Sequence, residues 1–236
     1  MVCLLLSLIG NDRISLWTIL GYLISATLVV FVTLPVHEFA HGFIANKLGD
    51  PTPRWQGRLT LNPLAHLDPI GALGILLFGI GWAKPVNINA RYFKNPKWGM
   101  ALTAAAGPLA NIIMALLSLI ILNGITVLFV LNDYAYFEVY QIVGALFYYL
   151  AFINVYLALF NLIPIPPFDG SRVLFAFLPT RYYFSIMRYE RYIFIGLLVF
   201  LYASSRIGFN PIIYAADWVI EKLDYVASLP FSLIRV

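Results

Sequence analysis

Two histidines and a glutamate, in the run His37-Glu38-Phe39-Ala40-His41, are the residues best suited to chemistry in this 236-residue chain. On an α-helix, positions four apart lie about 40° apart on one face, separated by one turn. Both imidazoles can then bind one zinc ion. Glu38, about 100° round from His37, can reach a metal-held water as general base without being a ligand. Zinc brings the pKa of bound water towards neutrality and polarises a carbonyl, which is what amide hydrolysis requires. The preceding stretch, Leu16–Val36, contains no charged residue. Ionisable groups in such an apolar, membrane-length setting are expensive and mark a functional site. A chance motif on a soluble helix would not be placed there.

A catalytic zinc takes three protein ligands and keeps one position open. The single cysteine, Cys3, stands at the far end of the first apolar segment and is no obvious third ligand. His66, the only other histidine, and a carboxylate remain as candidates. Asp169 stands out in Asn161-Leu-Ile-Pro164-Ile-Pro166-Pro167-Phe-Asp169-Gly170. Prolines there break the helix and present irregular backbone, which is tolerated at membrane depth where it lines a wet cavity. The competing role for Asp169 is to cap a helix running from Ser171 to Leu178. His66 is either a satisfied loop histidine or an auxiliary ligand. Asn111, in Gly107-Pro108-Leu109-Ala110-Asn111, belongs either to a small-residue packing seam or to a site that hydrogen-bonds a substrate backbone. Asn161 could hold an oxyanion, or satisfy backbone groups freed by Pro164.

The elements that must position these residues are membrane helices. The chain is 61% hydrophobic and 11% charged, against roughly 45–50% and about 25% in soluble domains, so one globular core could not hide its apolar surface. Its net charge of +4 suits anionic lipid, and its basic residues are spread through loops rather than clustered for nucleic acid. A lone cysteine excludes an intrachain disulfide. Apolar runs predict spans over Leu16–Ile44, Trp98–Leu131 and Tyr140–Ile163, and a shorter run at Tyr192–Ser205 that exits or dips into the bilayer. Arg58–Asn62 reads as a short strand, and the Gly-rich Ile70–Trp82 as a re-entrant segment. Lys and Arg flank that segment on both sides, whereas Asn132–Val139 carries only Asp133 and Glu138. The positive-inside rule therefore puts the histidine end of the first span and the Pro164–Arg172 region near the cytoplasmic face. Met1–Ile9 reads as a membrane-edge segment rather than a cleaved signal. The tail from Asn210 reads as an interfacial helix.

Together these motifs resemble the site-2 protease family of intramembrane zinc metalloproteases, in its compact prokaryotic subgroup without soluble regulatory domains. The resemblance rests on the His37–His41, Gly107–Asn111 and Asn161–Gly170 motifs in the family's order. It rests also on the loop pieces Gly49-Asp50-Pro51-Thr52, Gly57–Pro63 and Trp82–Val86, and it covers about Val36 to Leu174. It implies Asp169 as the third zinc ligand, Glu38 as base, Asn161 as an oxyanion or substrate contact, and Asn111 as a substrate-binding residue. It further implies a small membrane-embedded sheet from Arg54–Asn89 whose edge pairs with an unwound substrate strand. Ser171 departs from the glycine that many members carry after the Asp-Gly pair.

The expected architecture is an all-α polytopic protein of about 4–6 membrane helices with a small β-sheet or re-entrant region after the first. It forms one domain over residues 1–236, with a core at 16–206 and an interfacial tail at 207–236. The expected activity is one-zinc hydrolysis of a peptide bond in or near a transmembrane segment of a membrane-protein substrate, close to the cytoplasmic leaflet of a prokaryotic cell membrane. The rivals are a non-hydrolytic zinc-binding scaffold or transporter and a catalytically silent relative. The few ionisable residues in the membrane stretches after Gly42 weigh against a transporter, and the intact Glu38 against a silent protein.

Overall fold

A computed structural model describes residues 16–78, 83–132, 137–179, 182, 186, 188–206 and 208–232. The first apolar segment forms α1 (Leu16–Leu28), a π-helical turn (Val29–Thr33) and α2 (Leu34–Lys47) in one continuous run. Pro35 accounts for the π turn, because in a regular helix its ring would meet the carbonyl of Phe31 and its missing N–H would break a bond. The widened turn instead sends the Leu34 N–H five residues back, to the Val29 carbonyl. α2 stops where Gly49 adopts φ 107°, a left-handed conformation that glycine enters without a Cβ clash.

Three short helices come after it: α3 (Thr52–Trp55), α4 (Pro63–His66) and α5 (Pro69–Phe78). The long α6 (Pro96–Leu131) and α7 (Phe137–Asn161) come next, then α8 (Asp169–Phe177), α9 (Glu190–Arg206) and α10 (Pro211–Ser228). Three helices begin at Asn-Pro pairs. Asn62, Asn95 and Asn210 accept hydrogen bonds from the N–H groups of Leu64, Trp98 and Ile213. In each case proline occupies the next position, where no N–H is needed.

Two expectations are corrected here. Three helices, not four to six, are long and apolar enough to cross a membrane among the described residues: Ile19–Lys47, Pro96–Leu131 and Phe137–Asn161. α9 has only 17 residues. α10 carries Asp217, Glu221, Lys222 and Asp224. The second correction is the sheet, since no strand exists among the described residues. Pro63 and Asn62 start a helix where the Arg58–Asn62 strand would have ended. The re-entrant segment Ile70–Trp82 is helical as far as Phe78, within α5, and its end at 79–82 lies outside the described residues. Residues 84–89 form neither helix nor strand, and the N–H donors of Lys84, Val86 and Asn89 reach the His66 carbonyl, Glu38 and Asp50. The Met1–Ile9 expectation also falls outside the described residues.

The buried interior has two parts. Tyr22, Ala26, Val29 and Val30 pack with Leu150, Ile153 and Leu157 between α1 and α7. Ala115, Leu119, Ala151, Val155, Ala216 and Ile220 join α6, α7 and α10. α10 is therefore built into the bundle along one face, and Asn123 donates to Asp224 at 2.7 Å across that contact. Leu102, Leu109, Ile113, Leu117, Ile121 and Leu128 stand exposed at helical spacing along α6. Apolar exposure of that length is costly in water and favourable in hydrocarbon, so lipid is the solvent of this face.

Candidate metal centre

α2 brings His37 and His41 to one buried face, and α8 places Asp169 against them. The two Nε2 atoms are 3.0 Å apart, and Asp169 Oδ2 lies 3.4 Å from His37 Nε2 and 3.2 Å from His41 Nε2. A tetrahedral zinc with bonds near 2.0 Å needs ligand-to-ligand edges of about 3.3 Å, so this triangle fits the ion. These three side chains are the group able to hold a metal ion among the described residues. Asp169 opens α8 as its first residue, while Phe168 occupies the N-cap position. Burial works against its charge, yet the positive charge of a protonated His41, with hydrogen bonds from His37 and His41, holds the carboxyl well below the usual carboxylate range. Gly170 is required beside it, because a Cβ there would run into the Leu162 carbonyl at the end of α7.

α6 orients both imidazoles. His41 Nδ1–H donates to the Thr103 carbonyl at 2.7 Å, and His37 Nδ1–H to Asn111 Oδ1 at 3.3 Å. Both acceptors are oxygens without a proton to give, so each Nδ1 carries a hydrogen, and in the neutral rings it is Nε2 that offers a lone pair for a ligand bond. Between them sits Gly107, where a Cβ would stand 2.6 Å from His37 Nε2 and against His41 Nε2. The space in front of the imidazoles is thus kept open by a missing side chain.

Glu38, partly exposed, accepts the Val86 N–H at 2.9 Å through Oε2. Asp50, fully buried, accepts from Thr52 and Asn89, so the 84–89 segment is tied to both acids. His66 is not brought to the cluster. Its Nε2 bonds the Thr60 carbonyl at 2.9 Å, and its own carbonyl accepts from Lys84. Asn161 is half-buried at the end of α7 and donates to Leu157 within its own helix. Asn111, expected against substrate, contacts His37, and its Nδ2 is buried with no hydrogen-bond partner. Thr103 and Gly107 are roles that the sequence did not disclose. Thr103 acts through a backbone carbonyl, which no side-chain type betrays, and Gly107 reads as a packing residue among alanines.

Asn111→Ala is expected to weaken zinc binding by about 10- to 100-fold, the usual consequence of removing a partner that orients a ligand histidine. Competition with a fluorescent chelator measures it, and unchanged affinity would show that the His37 contact is idle.

Three membrane-length helices, two of which carry the His-His face and its orienting groups, define a polytopic membrane metalloenzyme. The chain belongs to peptidase family M50, the site-2 protease family of zinc metalloproteases. The family model, described as Peptidase family M50, matches residues 132–203, which include Asn161 and Asp169. YwhC of Bacillus subtilis, by name a candidate zinc metalloprotease, is 38% identical over 185 residues, covering 77% of this chain and 80% of the relative. Rip2 of Mycolicibacterium smegmatis, named in the same way, is 33% identical over 178 residues, 72% of this chain and 63% of its own length. The zinc metalloprotease MJ0392 of Methanocaldococcus jannaschii is 29% identical over 155 residues, 66% of this chain and 34% of its own length. No solved structure matches.

Proposed function

We propose that this zinc protease hydrolyses a peptide bond within or beside a transmembrane segment of a membrane-protein substrate. The observation that supports it is the His37-His41-Asp169 cluster, buried between helices that also present a lipid-suited face. The basic residues Lys47, Arg54, Arg58, Lys84, Arg91, Lys94, Lys97 and Arg172 flank the cluster's end of the bundle. The cut is therefore near the cytoplasmic leaflet of a cell membrane.

His37, His41 and Asp169 hold the zinc, which when bound supplies Lewis acidity to the attacking water and the scissile carbonyl. Glu38 accepts the proton of that water and later returns it to the leaving amine as the C–N bond breaks. The Val86 N–H occupies Glu38 Oε2 and leaves Oε1 as the proton acceptor. Asn161 steadies the oxyanion, which requires its amide to leave the Leu157 carbonyl when substrate enters. The unpartnered Asn111 Nδ2 gives the substrate backbone a donor beside His37, which requires its burial to be relieved when substrate enters. A substrate helix must unwind first, because its carbonyls are otherwise hydrogen-bonded. The unwound stretch pairs with the 84–89 segment beside Glu38, through backbone groups other than the engaged N–H donors of Lys84, Val86 and Asn89.

The test is cleavage of single-span membrane substrates by the chain reconstituted in lipid, with products mapped by mass spectrometry. Cuts within or next to the apolar segment, abolished by 1,10-phenanthroline and restored by Zn²⁺, are expected. Cleavage confined to soluble peptides would sink the reading.

A further inference from the structure

The helical run that carries the histidines changes partner along its length: α1 packs on α7, whereas α2 packs on α6. The change falls at the π turn, Val29–Thr33. A π turn holds about one residue more than an α turn, so it rotates α2 by about 100° relative to α1. That rotation moves the inward face from α7 to α6, where Asn111 and the Thr103 carbonyl wait for the imidazoles.

One polar contact sits on the turn. Asn154 of α7 donates through Nδ2 to Thr33 Oγ1 at 3.2 Å and to the Leu150 carbonyl at 2.8 Å, and both Asn154 and Thr33 are fully buried. Thr33, His37 and His41 are spaced four apart on one face, so the contact is the first rung of a ladder whose next two rungs are His37–Asn111 and His41–Thr103. Asn154 Oδ1 is buried with no hydrogen-bond partner. An apolar residue would fill the place without stranding an acceptor, so stability alone does not account for an amide there.

We propose that Asn154 and Thr33 are positioning residues for the metal centre: their bridge pins the π turn and sets the rotation at which His37 and His41 meet α6. The proposal rests on reading His37, His41 and Asp169 as the metal site. The experiment uses the full chain in nanodiscs loaded with Co²⁺, reading chelator-competed affinity and the visible d–d band that reports ligand geometry. Thr33→Val and Asn154→Leu are each expected to weaken Co²⁺ about tenfold or more and to shift the band, with the double variant no worse than the poorer single. Thr33→Ser, which keeps the hydroxyl, is expected to match wild type. A wild-type chain that binds Co²⁺ while Thr33→Val matches Thr33→Ser overturns the proposal alone; a wild-type chain that binds none overturns the metal-site reading with it. Should Thr33→Val fail to assemble, deletion of the lipid-exposed Val32 restores an α turn and rotates the face by about 100°. Retained Co²⁺ binding in that deletion would also overturn the proposal.

Discussion

Glu38→Gln is expected to keep a full complement of zinc and to lose about 10³-fold or more in cleavage rate, within the range ascribed to general acid–base groups. The substitution is nearly isosteric, and its amide oxygen can still accept the Val86 N–H that now reaches Oε2 at 2.9 Å. The 84–89 segment therefore stays in place, as do His37, His41 and Asp169. What disappears is the ability to take a proton from water and return it to an amine. Metal analysis, thermal unfolding and turnover on one preparation separate the effects. Zinc lost together with activity would mean that Glu38 helps to hold the metal; unchanged turnover would remove it from the mechanism.

Gly107→Ala is expected to abolish zinc binding, and cleavage with it. The added Cβ would stand 2.6 Å from His37 Nε2 and press on His41 Nε2, on the side where the imidazole lone pairs point. Neither histidine can retreat cheaply while Asn111 and the Thr103 carbonyl hold them. α6 itself should not suffer, since glycine inside a helix is about 0.8–1.0 kcal/mol worse than alanine. The clash costs about 1–3 kcal/mol and offsets that gain, so the metal-free variant should unfold no later than the metal-free parent, while the stabilisation conferred by zinc vanishes. Gly196→Ala is the control, because a Cβ there meets nothing within 4 Å. Normal zinc content in Gly107→Ala would show that the histidines can move aside.

The failed strand and the surviving motif mark how far local pattern carries. Arg58–Asn62 alternates as a strand does, but an Asn-Pro pair closes it and the surrounding prolines turn the chain into short helices. The Asn-Pro starts at residues 62, 95 and 210 act locally through an amide cap and the proline after it, a signal that apolar periodicity passes over when it ends a strand at Asn62 and begins a span at Trp98. The tail is a different case. Its alternation of Trp218, Ile220 and Leu223 with acids suits a bilayer surface, yet Ala216 and Ile220 are buried against α6 and α7. Which apolar face an amphipathic helix meets is decided by packing, not by its own periodicity.

For the site, the sequence alone determined that two imidazoles and a carboxylate share one end of a charge-free span, because a four-residue spacing and the composition are enough to require it. It also singled out Asp169, though only as one of two roles until the motifs were taken together. The tertiary structure decided the rest. It set Asp169 at 3.2–3.4 Å from both Nε2 atoms. It turned Asn111 towards His37, kept His66 with Thr60, and recruited a backbone carbonyl at Thr103. It also used Gly107 as open space between the imidazoles. Apart from the local His66–Thr60 pair, these contacts join residues 62 to more than 100 positions apart in α2, α6 and α8. They depend on the rotation of one helix against another, which a single π turn can shift by about 100°.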